Sequence, residues 1–412
     1  MAADTAPATS SRQALRGLAA NRDYRLMWLG DTVSQAGSSA SVLAYPLLAL
    51  SATGSVLDAG LIATAGFVAQ IVGQVPAGYL GDAVNRRRLI VGSGILHGFI
   101  VTAITVMAAT GRYTSTGMLA LSAAGALTAT LRGPAKIQAL RILVERRQLA
   151  EAVAVTTGRG YALDLVMPAA GGALFTLHPA LPFAVDAVTF WFAAASTALI
   201  RTDLGPDRRA TWRPPSSSAF TAGWSLLWRD AFLRGSTLYA TVSNLLVSAV
   251  LYTVLLGNGA VNAWSSGLAV TAAAAAGLLG ATVAPHLQRR HPLHHVLVLV
   301  CGVRAALVLA TCLVDQPLAR VAALVAVMFW TPVTATSMAT AKLLRVDADV
   351  LGRVSSAQNI VGSLALPLAP ILAGALVHAA GPLRSCVVLG AGFAVLAAGA
   401  ALVRGLRVWA AE

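Results

Sequence analysis

Apolar stretches of membrane length recur along this chain of 412 residues, separated by short polar breaks. Windows of about 17 to 25 residues fall at Leu26–Leu50, Ala59–Tyr79, Leu89–Thr110, Thr116–Leu131 (continuing to about Ile137), Ala152–Leu177 and Leu181–Ile200. Six more follow at Leu238–Leu256, Gly267–Leu287, Val296–Val314, Val321–Met338, Ile360–Ala380 and Cys386–Val403. In lipid every backbone polar group has to be satisfied within its own segment, so runs of this length are predicted α-helices. The pattern therefore predicts an all-α integral membrane protein with twelve transmembrane helices. Between the sixth and seventh runs lies Arg201–Arg234, richer in Pro, Ser and Arg than its surroundings. That break predicts a linker over 201–234 between a six-helix unit at 26–200 and a second at 235–403, with tails at 1–25 and 404–412.

Composition supports the membrane reading. The chain is 57% hydrophobic and 11% charged, with a mean hydropathy of +0.72, whereas soluble proteins carry about a quarter charged residues. A net charge of +14 would suggest nucleic acid in a soluble protein, but these cations are scattered between apolar runs. Basic loops held on the cytoplasmic face account for them better, and no nucleic-acid partner is expected. With the N-terminus inside, Arg112, Arg320 and Arg384 alone fall outside and Arg159 and Arg304 within helices, out of 30 Lys and Arg. Both termini are thus expected to be cytoplasmic in a multi-pass protein of the cell membrane.

Several chemistries are disfavoured by the same reading. Lys136 and Lys342 are the only lysines, and neither sits in a Gly-x-x-x-x-Gly-Lys context, so no nucleotide-hydrolysing loop is expected. Cys301, Cys312 and Cys386 lie in or beside apolar runs and are expected as free thiols rather than a disulfide or metal site. The seven histidines form no catalytic or ligating constellation; His291, His294 and His295 together make at best an adventitious metal site. Met1–Ala20 has no apolar core, which argues against a cleavable leader. No enzyme activity, cofactor or metal is expected.

The break after the second run reads Gly78-Tyr-Leu-Gly-Asp-Ala-Val-Asn-Arg-Arg-Arg88. So short a turn is expected to need its glycines, and so basic a loop to stay in water. The stretch resembles the loop between helices 2 and 3 of the major facilitator superfamily of secondary transporters. Ala284-Pro-His-Leu-Gln-Arg-Arg290 closes the eighth run as a degraded copy without the aspartate. The resemblance implies two pseudo-symmetric six-helix bundles that rock about a substrate held near mid-membrane. It also implies a conformational latch at Gly78, Gly81, Asp82, Arg86 and Arg87. There Asp82 meets the start of helix 11 near Ser355 and favours an outward-open state, while Arg86 pairs with acids on neighbouring helix ends.

The first run begins Asn21-Arg-Asp-Tyr-Arg-Leu-Met-Trp-Leu-Gly30, with Ser34 and Gly37 following, and resembles the multidrug and siderophore exporter branch of that superfamily. Asp31, Gln35, Ser38 and Tyr45 are spaced by four, three and seven, which puts them on one helical face. Asp31 is a candidate for titrating a proton or binding a substrate cation, or it is an interfacial carboxylate paired with Arg25. The fifth run carries Arg159, Asp164 and Pro168-Ala-Ala-Gly171-Gly172; this ending resembles the helix 5 motif of proton-coupled antiporters. Pro168 is expected to bend the helix and Gly171 and Gly172 to let the two halves pack closely. Arg159 and Asp164 lie about 140° apart, so each should find its partner on another helix. Asp186 and His97 read as scaffold groups. Arg304 either bonds backbone carbonyls, snorkels, or meets an anionic substrate group. Asn244, Tyr252, Trp330, Thr331, Gln358 and Asn359 either reach a central cavity or bond between helices. The function implied is proton-coupled export of a moderately hydrophobic small molecule, with protons and the bilayer as partners; an importer or facilitator is the alternative.

Overall fold

The computed structural model describes residues 17–145, 148–205, 224–257, 263–313, 316–346 and 348–403. Among them every regular element is helical. In chain order the helices are α1 (Arg22–Ser41), α2 (Ala44–Thr53), α3 (Val56–Ala83), α4 (Arg86–Thr110), α5 (Ser115–Leu143), α6 (Leu149–Leu177) and α7 (Leu181–Ala198). Further along the chain come α8 (Ala231–Gly257), α9 (Ala263–Arg290), α10 (Leu293–Ala310), α11 (Pro317–Phe329), α12 (Thr331–Arg345), α13 (Ala348–Ala365) and α14 (Leu368–Leu402).

These helices make twelve rods. The first is broken into α1 and α2 at Val42–Leu43, and the tenth into α11 and α12 at Trp330. The eleventh consists of α13 and the start of α14, separated at Leu366–Pro367. Gly381, at φ +78°, then turns α14 back as the twelfth. By length and apolar composition alone nine helices among the described residues qualify as membrane spans. The count falls short of twelve because α1 is too polar and α2 too short, α5 carries internal cations, and the last two rods run together. Large apolar side chains such as Phe99, Val188, Leu279 and Val395 stay exposed on the outer surface, which suits lipid and not water.

Local chemistry sets the ends. Asn21, Ser55 and Asn85 cap α1, α3 and α4 by accepting backbone N–H groups. Gly54 and Gly111 close α2 and α4 at φ +67°, where only glycine sits without strain. The expected glycine turn at 78–88 is not found. α3 continues through Gly78, Gly81 and Asp82 to Ala83, and the chain turns at Val84 and Asn85. The Asn85 cap makes the turn, so glycine is not required there. Likewise α5 runs to Leu143, beyond the expected stop near Ile137.

Each half has its own core. Leu227, Leu246, Leu297 and Phe393 belong to the second, and Tyr24, Ile90, Leu140 and Ile200 to the first. A further cluster joins Leu47, Ile104, Phe175 and Phe183 of the first half to Leu255 and Leu256 of the second. Contacts between the halves gather at this end, the far end, where the loops at 54–55 and 111–114 lie. There Thr64 Oγ1 donates to the Pro367 carbonyl at 2.9 Å. A Cβ on Gly60 would stand 2.6 Å from the Pro370 carbonyl oxygen, and one on Gly267 would stand 2.5 Å from that of Pro168. The opposite, near end holds the arginine-rich turn before α4.

Candidate site: a charge cluster and two cavities

Asp31 sits in the third turn of α1 and is met by cations from two other helices. Lys136 of α5 pairs with Oδ1 and Arg159 of α6 with Oδ2. Arg159 also donates to Gln35 Oε1 at 3.1 Å, Thr32 Oγ1 at 3.1 Å and the Trp28 carbonyl at 3.3 Å. Its Nε is buried without a partner among the described residues. Three helices are thereby tied at one level by one negative and two positive charges. Such a cluster is costly to place inside a membrane and is held only by close pairing. Arg25, the alternative partner for Asp31, is exposed and does not make this pair; one turn and a half nearer the chain start, it projects from another side of α1.

Arg159 and Asp164 do take partners on α1 and not each other. Asp164 Oδ1 accepts from Ser39 Oγ at 2.7 Å. Asp31, Gln35 and Ser39, each four residues apart, thus form the face of α1 turned to α6. The expected single stripe is split. Ser38 turns instead to α7, donating to Asp186 Oδ1 at 3.3 Å, and Ser41 donates to Oδ2 at 2.7 Å. Tyr45 lies past the break at Val42–Leu43 and packs edge-on against Phe183, centroids 5.1 Å apart. The break resets the rotation of the rod, so a count carried through it loses the face.

Asp186 is buried and yet lines a cavity of about 510 Å³ inside the first half. Its wall also includes Ser38, Tyr45, Phe67, Gln70, His97 and, from the second half, Tyr252. The scaffold reading of Asp186 and His97 is therefore incomplete. His97 is held by Thr128 Oγ1 at 2.8 Å and stacks on Phe190 at 3.9 Å, so it is fixed, but it faces this space.

A second cavity of about 500 Å³ lies between α8, α12 and α13 and includes Asn244, Lys342, Gln358 and Asn359. Arg304 does not reach it. That guanidinium is fully buried within the second half, bonded to Ser243 Oγ and Thr331 Oγ1 at 2.9 Å each and lying over Phe393. Two side-chain hydroxyls hold it in place of the backbone carbonyls expected, and its burial closes it off from a substrate. Its Nε stays buried without a partner among the described residues.

The latch residues are only partly visible. The surroundings of Gly78 and Gly81 and the side chain of Asp82 lie outside the described residues, as does Asp347 just before α13. Arg86 is buried and bonds Gln138 Oε1 at 2.6 Å and the Gly205 carbonyl, while Arg87 donates to the Thr202 carbonyl at 2.6 Å. Among the described residues these partners are an amide and carbonyls, because the chain after α7 folds back over the start of α4. Ser355 receives Lys342 Nζ at 3.1 Å. In the helix 5 motif, Gly171 lets α6 approach α1 of its own half, since a Cβ there would collide with the Ala40 carbonyl. It is the Pro168–Ala169 backbone that meets the other half, at Gly267.

Lys136 and Arg132 went unrecognised as site residues. Both lie near the expected cytoplasmic end of an apolar run, where a cation reads as a helix-end charge, yet Arg132 is buried over Phe190, 4.2 Å from its centroid. Their spacing of four on one face of α5 was the available signal: loop cations need no helical period, and buried ones do. Among the described residues no group of His, Cys, Asp and Glu could hold a metal, and the three cysteines are free.

Comparison with known proteins places this geometry. The chain matches the family profile of the Major Facilitator Superfamily over residues 27–370. A stretch of 73 residues is 37% identical to the multidrug efflux pump Tap of Mycolicibacterium fortuitum, covering 18% of this chain and 18% of that pump. Among solved structures, a point mutant of the nucleoside transporter NupG superposes with a TM-score of 0.72 at 9% identity, over 93% of this chain and 100% of that one. A bacterial homologue of the human lysosomal transporter Spinster, inward-facing and unoccupied, gives 0.70 at 15% identity over 94% and 98%. A bacterial homologue of the iron transporter ferroportin, inward-facing, gives 0.66 at 14% over 91% and 98%.

Proposed function

Because the chain belongs to the major facilitator superfamily, we propose that it is a proton-coupled exporter of drug-like or secondary-metabolite small molecules, working by alternating access. The observation that carries this reading is the Asp31 carboxylate held between Lys136 and Arg159. A proton taken by Asp31 would leave two like charges facing each other inside the bundle, and their repulsion favours parting α1 from α5 and α6. Proton binding and helix movement are then one event. Both termini are cytoplasmic in this reading, so the packed far end faces outward and the cavities open to the cytoplasm, where a substrate for export is collected. The short match to an efflux pump supports the direction. Asp164, paired among the described residues only with a serine hydroxyl, is the second candidate for coupling.

The test is dye movement in proteoliposomes under an imposed pH gradient, with ethidium as probe and a pH-sensitive dye reporting protons. Gradient-dependent ethidium transport in the parent, lost in Asp31→Asn or Asp164→Asn with proton flux lost alongside, is the expected result. Equal transport by all three proteins, with or without the gradient, would replace export by facilitated diffusion.

A further inference from the structure

The two lysines of the chain occupy corresponding places in the two halves, and their surroundings differ in one respect. Lys136 lies on α5, the fourth rod of the first half, and pairs with the Asp31 carboxylate. Lys342 lies on α12, in the fourth rod of the second half. Its ammonium donates to Ser355 Oγ and Gln358 Oε1, each at 3.1 Å. Gln358 in turn donates to Thr237 Oγ1 at 2.8 Å, on the first rod of that half, which is the rod corresponding to the one that bears Asp31. Where the first half supplies a carboxylate, the second supplies a hydroxyl reached through an amide. Among the described residues Lys342 has no anionic partner.

This lysine borders the cavity of about 500 Å³ between α8, α12 and α13, whose described lining contains hydroxyls and amides and no carboxylate. Thr241 Oγ1 in that wall is buried without a partner among the described residues. The Asn244 amide stands beside it, exposed to the cavity. A cation with neutral partners, next to unused donors in a half-enclosed space, is a site that lacks its anion.

We propose that this cavity is the subsite for an anionic group of the transported molecule, a carboxylate or phosphate, with Lys342 as its counter-charge and Thr241 and Asn244 as further donors. The inference rests on the transport reading above and adds amphipathic organic anions to the molecules that reading admits. The cavity of the first half, with Tyr45, Phe67 and Tyr252 in its wall, takes the apolar body. Lysine binds an oxyanion as a point charge, so arginine can replace it in charge, whereas glutamine cannot.

Proteoliposomes holding the full chain are given carboxyfluorescein, an organic anion, and ethidium in parallel. The parent transports both, and Lys342→Gln lowers the ratio of carboxyfluorescein to ethidium transport about tenfold through a higher KM, as loss of a charge-assisted hydrogen bond implies. Lys342→Arg keeps the ratio within about threefold of the parent. Thr241→Val, which keeps volume and removes the hydroxyl, lowers the ratio in the same direction and serves should Lys342→Gln fail to fold. Gradient-driven ethidium transport without carboxyfluorescein transport, or equal loss of both dyes in Lys342→Gln, overturns the anion subsite and leaves the exporter standing. If neither dye moves under any gradient, the transport reading falls and the subsite falls with it.

Discussion

Arg159 of α6 reaches the carboxylate of Asp31 on α1 across 128 residues of chain, with Gln35 on the same guanidinium nitrogen. Lys136 of α5 takes the other carboxylate oxygen. One acid thus fixes the relative position of three helices in the first half, and removing it does more than delete an interaction, since it leaves two cations unopposed.

Asp31→Asn is accordingly expected to lower stability by about 3 kcal/mol, the scale for stripping one partner from a buried pair. The double variant Asp31→Asn with Lys136→Gln should recover part of that loss, because the second change removes a repelled charge. Melting curves of the purified proteins in detergent check both. A single variant no less stable than the double one would show that the lysine is not opposed by Asp31.

Gly171→Val is expected to cost about 1–3 kcal/mol by driving a side chain into the Ala40 backbone, which has no rotamer through which to yield. Gly172→Ala, one position round the helix, is the comparison. A lower melting temperature confined to the Gly171 variant supports packing within the half, and equal losses would not.

Gly60→Val places its side chain against the Pro370 carbonyl and should hold the far end apart. Spin labels on Thr53→Cys and Leu318→Cys, exposed far-end positions of the two halves, in a background without Cys301, Cys312 and Cys386, read the separation. A distance distribution shifted to longer values is expected. An unchanged distribution would mean that this glycine contact does not hold the closed arrangement.

Asp23 gives a pH-dependent prediction at the near end, before the apolar run that starts at Leu26. Burial raises the pKa of its carboxyl, but hydrogen bonds from the Thr202 hydroxyl and backbone N–H and the Arg201 N–H, with the charge of Arg22, outweigh it and hold the value below 3.8. A depressed folded-state pKa means stability present above the unfolded value and lost as pH falls through the folded one. Asp23→Asn should therefore melt below the parent at pH 7, with the gap closing as pH drops below about 3.8. A gap independent of pH would assign the effect to the lost hydrogen-bond geometry instead.

The sequence by itself determined the helical membrane class, the near-complete set of rods and the family. Hydropathy sums along the chain, and a bilayer demands the same apolar length of each crossing wherever the helix stands. It also named Asp31, Arg159 and Asp164, because charged groups within apolar runs are conspicuous, and it required that Arg159 and Asp164 look elsewhere for partners. Which partners they find depends on how each helix is rotated about its axis, and that is set by neighbours more than a hundred residues away. Tertiary structure alone therefore joined Lys136 to Asp31, turned Ser38 and Ser41 to Asp186, and enclosed Arg304 among hydroxyls. It also assigned Gly171 to α1 and Gly267 to the other half, since a glycine marks that something comes close without saying what. The contrast between Lys136 and Lys342 has the same origin: identical side chains on corresponding rods differ only in what the packing sets opposite them.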